Sequence, residues 1–502
     1  MPTQISSGAV WGLDGVLIEV ETDISPGLPS MVIVGLPDTA VQEARERVKS
    51  AIKNTGYKFP VSRIAVNLAP ADLPKSGSLY DLPIAISILA GGGLINGPPS
   101  LLKDSLFLGE LSLDGRLRPV PGVLAIAAAA TAASLKNIFV PAENAKEASL
   151  VKNIAVWPVD NLANLIAHLE GRVELTAFTA KTFNIEQNHG IDFKDVAGQF
   201  VAKRALAIAA AGQHNILFTG PPGSGKTMLA RALETILPPL SENEFIAVTK
   251  IYSIAGLLPA NSLTSFRRPL RSPHHTSSRI AIIGGGSHPK PGEVTLAHHG
   301  VLFLDEFPEF PRSTLESLRQ PLEDGMVTVS RVSGSFKFPA QFILVAAQNP
   351  CPCGNLGHPK IVCQCSDTQI KRYQARISGP ILDRIDLVAE VPYQSYQQLQ
   401  TTGGPTSAEL RAQVAMARAA QKLRFGSDQT NAQMTPVELK HFALPDPDGQ
   451  AILESAMTRL SLSARAYHRI LKVARTIADL DGVQNILAKH LSEAIQYRLK
   501  QD

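Results

Sequence analysis

The sequence predicts an α/β protein in which two mixed domains precede an all-helical unit. Three observations predict it. Extended and helical apolar runs alternate through the first two-thirds of the chain, a glycine-rich strand-to-helix turn sits near its middle, and only helical periodicity follows residue 405. The 502 residues leave room for about three domains at roughly 150 residues each, which excludes a small stapled scaffold. A composition of 44% hydrophobic and 18% charged residues, with 37 glycines and 36 prolines, excludes disorder, collagen and coiled coil. The net charge of +4 is too small to identify a polyanionic partner.

The first domain is expected over 1–172, where extended runs at 31–34, 64–68 and 138–140 alternate with helical runs at 39–54, 81–90 and 123–133. The periodicity lapses before residue 190, and 173–190 reads as a linker. A core over 191–398 follows, with a helix at 201–211 stopped by Gly212, a buried strand at 215–218, the glycine-rich turn, and a helix at 226–237 stopped by Pro238 and Pro239. Further strands are expected at 301–304 and 342–346, with a hairpin of 326–331 and 335–338 around Ser333 and Gly334. The remainder, 399–502, is helical at 408–425, 450–459, 463–479 and 484–497. The first residues carry no basic stretch followed by an apolar run, and the longest apolar stretches, 82–89 and 120–133, fall short of the ~20 residues that span a bilayer. A cytoplasmic protein without membrane association is expected.

The turn Gly220-Pro221-Pro222-Gly223-Ser224-Gly225-Lys226-Thr227 fits the phosphate-loop pattern. Its glycines let backbone N–H groups curl around phosphates, Lys226 reaches the β/γ oxygens, and the Thr227 hydroxyl ligates Mg²⁺. The apolar strand 301–304 runs into Asp305 and Glu306, which can hold Mg²⁺ through water and polarise an attacking water, respectively. The bland reading of that pair is a strand that ends in acids. Its occurrence about eighty residues after a phosphate loop favours the nucleotide site.

Together these residues resemble an AAA+ ATPase of the magnesium-chelatase-like group, and more closely the bacterial ComM/YifB family. The resemblance runs through 192–198, the phosphate loop, 301–307, 346–350, 382–387 and 463–469. It implies an AAA+ core with a helical lid, ATP and Mg²⁺ as cofactors, a homo-hexameric ring, Asn349 as sensor 1, Arg384 as arginine finger and Arg465 as the lid's sensor 2 arginine. Read from the residues alone, Asn349-Pro350 is equally a turn, and either arginine a surface salt bridge. By the same resemblance 271–286 is the helix-2 insert, and 327–337 the pre-sensor 1 hairpin, with Arg331 and Lys337 as candidate contacts to DNA phosphates. A solvated hairpin tip is the alternative.

The first domain resembles the proteolytic domain of Lon through 67–77, 109–122 and 138–144. Alignment of those segments puts Leu79 at the nucleophilic serine and Leu124 at the lysine, and leucine can neither attack nor accept a proton. The domain is expected to be proteolytically inactive, with a displaced Lys75–Ser76 pair as the alternative.

All four cysteines, Cys351, Cys353, Cys363 and Cys365, lie within fifteen residues as two C-x-C pairs. Four thiolates can close a tetrahedral Zn²⁺ site. The spacing is tighter than the usual knuckle, so reduced thiols and disulfides remain open, and His358 is a spare ligand. The resemblance as a whole implies a DNA-translocating motor that acts on single-stranded and branched DNA by helicase and branch-migration chemistry in natural transformation. A protein-remodelling or chelatase-type motor is the alternative.

Overall fold

The computed structural model describes residues 2–179, 190–258, 267–286, 289–331, 334–400, 404–460 and 462–498, without the side chains of Arg331 and Leu399. The chain divides into two compact units, Met1–Ile185 with Glu242–Ser265, and Glu186–Ser241 with Phe266–Asp502.

The first unit is built on a seven-stranded sheet. Its spatial order is Ser30–Val34, Arg63–Ala69, Asp14–Ser25, Thr3–Trp11, Ser105–Phe107, Asn137–Pro141 and Ala155–Val159. The long hairpin of Thr3–Trp11 and Asp14–Ser25 was not expected from sequence. Along its second strand, buried Ile18 and Val20 alternate with the acids Glu19 and Glu21, a half-buried pattern of period two diluted by charge. Thr39–Asn54 begins where the Asp38 carboxylate accepts the Val41 N–H at 2.9 Å. Asp81–Gly91 is buried from Asp81 to Leu89, and its one carboxylate is held by the Arg47 guanidinium at 2.6 and 3.0 Å.

Glu242–Ser265 departs from the expected bounds, because it belongs to this first unit rather than to the core of 191–398. The reason lies in polar contacts of the helix Glu242–Ile254. Its Ser253 hydroxyl donates to the buried Glu147 carboxylate and accepts the Gly122 N–H at 2.9 Å, while Lys250 pairs with Asp14 at 2.9 Å. Glu147 also accepts the Leu124 N–H at 2.8 Å. Burial raises the pKa of the Glu147 carboxyl, and these donors oppose the rise.

The second unit centres on a five-stranded, all-parallel sheet ordered Leu270–Arg271, Val301–Leu304, Ile343–Gln348, Ile216–Thr219, Leu387–Glu390. Near-continuous apolar strands such as Val301–Leu304, buried throughout, are what a sheet covered on both faces requires. Phe200–Gly212 and Lys226–Ile236 flank it, and the helices Ser407–Phe425, Pro436–Phe442, Pro447–Arg459, Ala464–Leu480 and Ala488–Gln496 share its hydrophobic core. His214 ties the sheet to these helices, with Nδ1 3.2 Å from Asp386 and Nε2 2.8 Å from the Thr476 hydroxyl. Burial alone would raise the Asp386 carboxyl. The hydrogen bond from His214 and the charges of Arg469 and Lys472 outweigh it and hold the pKa at about 2. Among the described residues, no helix is long and apolar enough to cross a membrane.

His298, buried just before Val301–Leu304, gives this unit a measurable pH dependence. Burial, with the neighbouring His299 ring tilted at 3.8 Å and its charge adding to the effect, pushes the His298 pKa down to about 3, and Nδ1 accepts the Gln341 N–H at 3.1 Å. The unfolded chain therefore takes up a proton below pH ~6.5 that the folded one resists, so stability falls as the medium is acidified. Between pH 7 and 5 this site should cost roughly 2 kcal/mol at ~1.4 kcal/mol per unit, a window in which Asp386, titrating below 3.8, stays silent. His298→Asn, which keeps an acceptor for Gln341, should lose that share of the slope in denaturant titrations of this unit at the two pH values. An unchanged slope would contradict the assignment.

Candidate nucleotide site

The phosphate loop leaves the carboxyl end of the strand Ile216–Thr219, next to the central strand Ile343–Gln348, at the edge of a parallel sheet where ligands bind. Gly223 and Gly225 lie at φ +74° and +95°, a region closed to most side chains, and a Cβ on either would meet nothing within 4 Å. The loop then feeds Lys226–Ile236, whose first turn supplies free N–H groups. Lys226 is only 8% exposed. Its Nζ donates to Gly220 O at 2.7 Å, Pro221 O at 2.9 Å and Asn349 Oδ1 at 3.2 Å. Burial lowers its pKa and Asp305 opposes the shift. The Ser224 hydroxyl is buried without a partner among the described residues. A buried cation held by neutral groups, beside an orphaned hydroxyl and a helix N-terminus, fits a bound polyphosphate.

Asp305 follows Val301–Leu304 and accepts the Thr227 hydroxyl at 2.9 Å, so the two groups expected to share Mg²⁺ already meet. Asn349 follows Ile343–Gln348, the strand between those that end in the phosphate loop and Asp305. Glu306 turns away from the strand at φ +51°. Its Oε2 lies 3.0 Å from His275 Nδ1, and the His275 ring stands edge-on to Phe310. This contact was missed by sequence reasoning, which treated 271–286 as an insert without a site role, and no spacing rule links a histidine to an acid thirty residues later.

Arg384 and Arg465 lie apart from the phosphate loop. Both line a cleft of about 610 Å³ with Glu323, Asp386, Arg469 and Lys472, and no residue of 220–227 lines it. Arg384 is 8% exposed, pairs with Glu323 and donates to Pro380 O at 2.5 Å, and its Nε has no partner among the described residues. Arg465, at the start of Ala464–Leu480, is 63% exposed and 4.0 Å from Asp383.

In the hairpin, Met326–Arg331 pairs with Gly334–Pro339. Lys337 is exposed opposite Thr328. Arg331 stands opposite Gly334 with the strand parity of buried Val327 and Val329, and its side chain, like Ser333, lies outside the described residues. The two candidate contacts thus have opposite parity.

The cysteine sulfurs all lie within 4.8 Å of one another. Cys351 and Cys353 are 3.4 Å apart, and each is 3.6 Å from Cys363. A disulfide needs about 2.05 Å, whereas four sulfurs ~2.3 Å from a central ion lie about 3.8 Å apart, so the cluster can hold a metal. N–H groups of Asn355 and Gln364 lower the Cys353 thiol to about 6, whereas the neighbouring sulfurs help to raise the Cys363 and Cys365 thiols. His358 Nδ1 accepts the N–H groups of Lys360 and Ile361 instead of joining the cluster. In the first unit Leu79 and Leu124 are buried, and Lys75 is buried with Nζ on Pro70 O while Ser76 is exposed, so no Ser–Lys pair is assembled among its described residues.

Residues 192–399 match the family described as magnesium chelatase, subunit ChlI, residues 20–144 that of subunit ChlI of Mg-chelatase, and residues 404–498 that of the ChlI C-terminal region. Over 98% of its length the chain is 45% identical to Competence protein ComM of Haemophilus influenzae, covering 97% of that protein. The chain belongs to the ComM/YifB family. This ComM/YifB-family chain is also 43% identical to the YifB protein of Salmonella typhimurium, covering 96% of it. Over 33% of its length it is 26% identical to 22% of the Lon protease of Rhizobium meliloti. Its fold class is accordingly an AAA+ core with helical lid, preceded by a Lon-protease-like α/β domain.

Proposed function

We propose that this protein is an ATP-hydrolysing ring motor, a homo-hexamer that translocates on single-stranded and branched DNA and promotes branch migration and recombination during natural transformation. The observation that carries the reading is full-length similarity to a competence protein together with Lys226, Thr227, Asp305 and Asn349 gathered at the strand ends. Gly220–Thr227 hold the phosphates of ATP, Thr227 and Asp305 hold Mg²⁺, Glu306 polarises the attacking water and Asn349 orients it. Arg384 and Arg465, in a cleft without phosphate-loop residues, act on the nucleotide of a neighbouring subunit, which makes hydrolysis depend on assembly. Lys337 and Arg331 grip the DNA backbone, and Cys351, Cys353, Cys363 and Cys365 bind a structural Zn²⁺. Site of action is the cytoplasm.

A second reading, a protein-remodelling or chelatase-type motor, is favoured by the Lon-like first domain and the chelatase family descriptions. ATP turnover by the purified protein, measured alone, with single-stranded DNA, with a branched duplex and with an unfolded polypeptide, separates the two. DNA stimulation is expected. Lys337→Ala with Arg331→Ala should weaken binding equally on unrelated sequences and reduce the salt slope by about 1–2. Stimulation by polypeptide alone would favour the second reading.

A further inference from the structure

The four thiols and the nucleotide site share one small region. Cys351 follows Asn349 by two residues, and Asn349 is the side chain that accepts from Lys226. Cys351 is fully buried and its Sγ accepts the Leu356 N–H at 3.3 Å. The chain then turns at Gly354, φ +78°, directly over the phosphate loop. A Cβ on Gly354 would lie 2.5 Å from Pro222 Cδ and 2.7 Å from its Cγ, so the knuckle backbone rests on the second proline of that loop. At its far end, Ser366 caps Asp367–Gln374 one residue after Cys365, and the helix returns buried Tyr373 to the backbone N–H of Asn349. The segment 351–365 thus abuts Pro222 through Gly354, while the helix that follows it carries Tyr373 to Asn349.

We propose that the tetrathiolate metal centre positions the nucleotide site: with Zn²⁺ bound, the knuckle holds Pro222 and Asn349 in the arrangement that receives ATP, so metal occupancy sets nucleotide affinity. The inference rests on the zinc reading above. Metal ligation supplies what a loop with little apolar burial lacks, since Leu356, Ile361 and Val362 are all exposed. Without the ion the segment samples other conformations, and affinity falls by the fraction of time the brace is out of place. If that brace is formed a tenth of the time, the loss is about tenfold.

The test uses full-length protein, zinc stoichiometry by elemental analysis, and the Kd for a fluorescent ATP analogue. Chelation should lower affinity about tenfold, and added Zn²⁺ should restore it. Gly354→Ala, which drives a methyl group into Pro222, should retain zinc and lose affinity. Gly357→Ala is the control, because Gly357 has φ +77° but no atom within 4 Å of its Cβ position, so it carries the same backbone strain without touching the phosphate loop. If Gly354→Ala also loses its zinc, the chelation and restoration arm decides. Equal affinities in both glycine variants, or parent-like affinity in the chelated protein, would overturn the proposal. A parent protein that carries no zinc would refute the metal reading, while the contrast between the two glycine variants would still report whether the knuckle braces Pro222.

Discussion

Lys226→Ala is expected to abolish ATP turnover, with a loss of at least 100- to 1000-fold, the scale of removing one preorganised charge from a transferring group. The lysine is pre-positioned, with its three donors on Gly220 O, Pro221 O and Asn349 Oδ1, none of which carries a formal charge. A γ-phosphate is the stronger acceptor, so the ammonium can shift to it without breaking an ion pair. Alanine removes both the charge and the tether between the phosphate loop and Asn349. Glu306→Gln should leave binding intact and trap the bound nucleotide, since an amide cannot take the proton of the attacking water, a step worth about 100- to 10,000-fold. Single-turnover hydrolysis alongside nucleotide binding checks both. Parent-rate turnover in either variant would remove that residue from the mechanism.

The second large effect is expected from Arg384→Ala, an activity loss on the order of 1000-fold or more if this guanidinium completes a neighbour's site. The discriminating measurement mixes two dead proteins. Arg384→Ala subunits keep their phosphate loops and Lys226→Ala subunits keep their arginines, so random co-assembly creates interfaces with both parts intact. Turnover in the mixture well above the sum of the two alone is expected. An arginine acting within its own subunit predicts no such recovery. The Glu323 partner of Arg384 is 55% exposed, so the substitution leaves a solvated carboxylate, and a thermal melt of the variant checks what removing the buried Arg384 side chain costs in packing.

The parts legible in the sequence are those governed by local rules. The phosphate loop, the strand at 301–304 and the helices at 39–54 and 226–237 carry their caps, breaks and periodicity in contiguous residues. What escaped depends on partners distant in sequence. The opening hairpin hides its alternation among serines and acids, and the His275–Glu306 contact joins elements that no periodicity connects. The spacing of the four cysteines left metal, free thiols and disulfides open, and sulfur separations near 3.5 Å, which no pattern could supply, favour the first. Glu242–Ile254 fell within the expected core of 191–398 by sequence position alone, whereas buried Ser253 and Glu147 decide its allegiance.

That helix also governs how the protein can be taken apart. The chain passes between the two units at residues 185/186, 241/242 and 265/266, so they are stitched together by three covalent joints. A fragment cut near residue 172 leaves Glu147 without the hydroxyl that satisfies it, and the remaining piece keeps an orphaned helix with buried Phe245, Val248 and Ile251 turned to solvent. Neither half is a detachable module. A clean separation of the two units therefore requires that Glu242–Ser265 travel with residues 1–185.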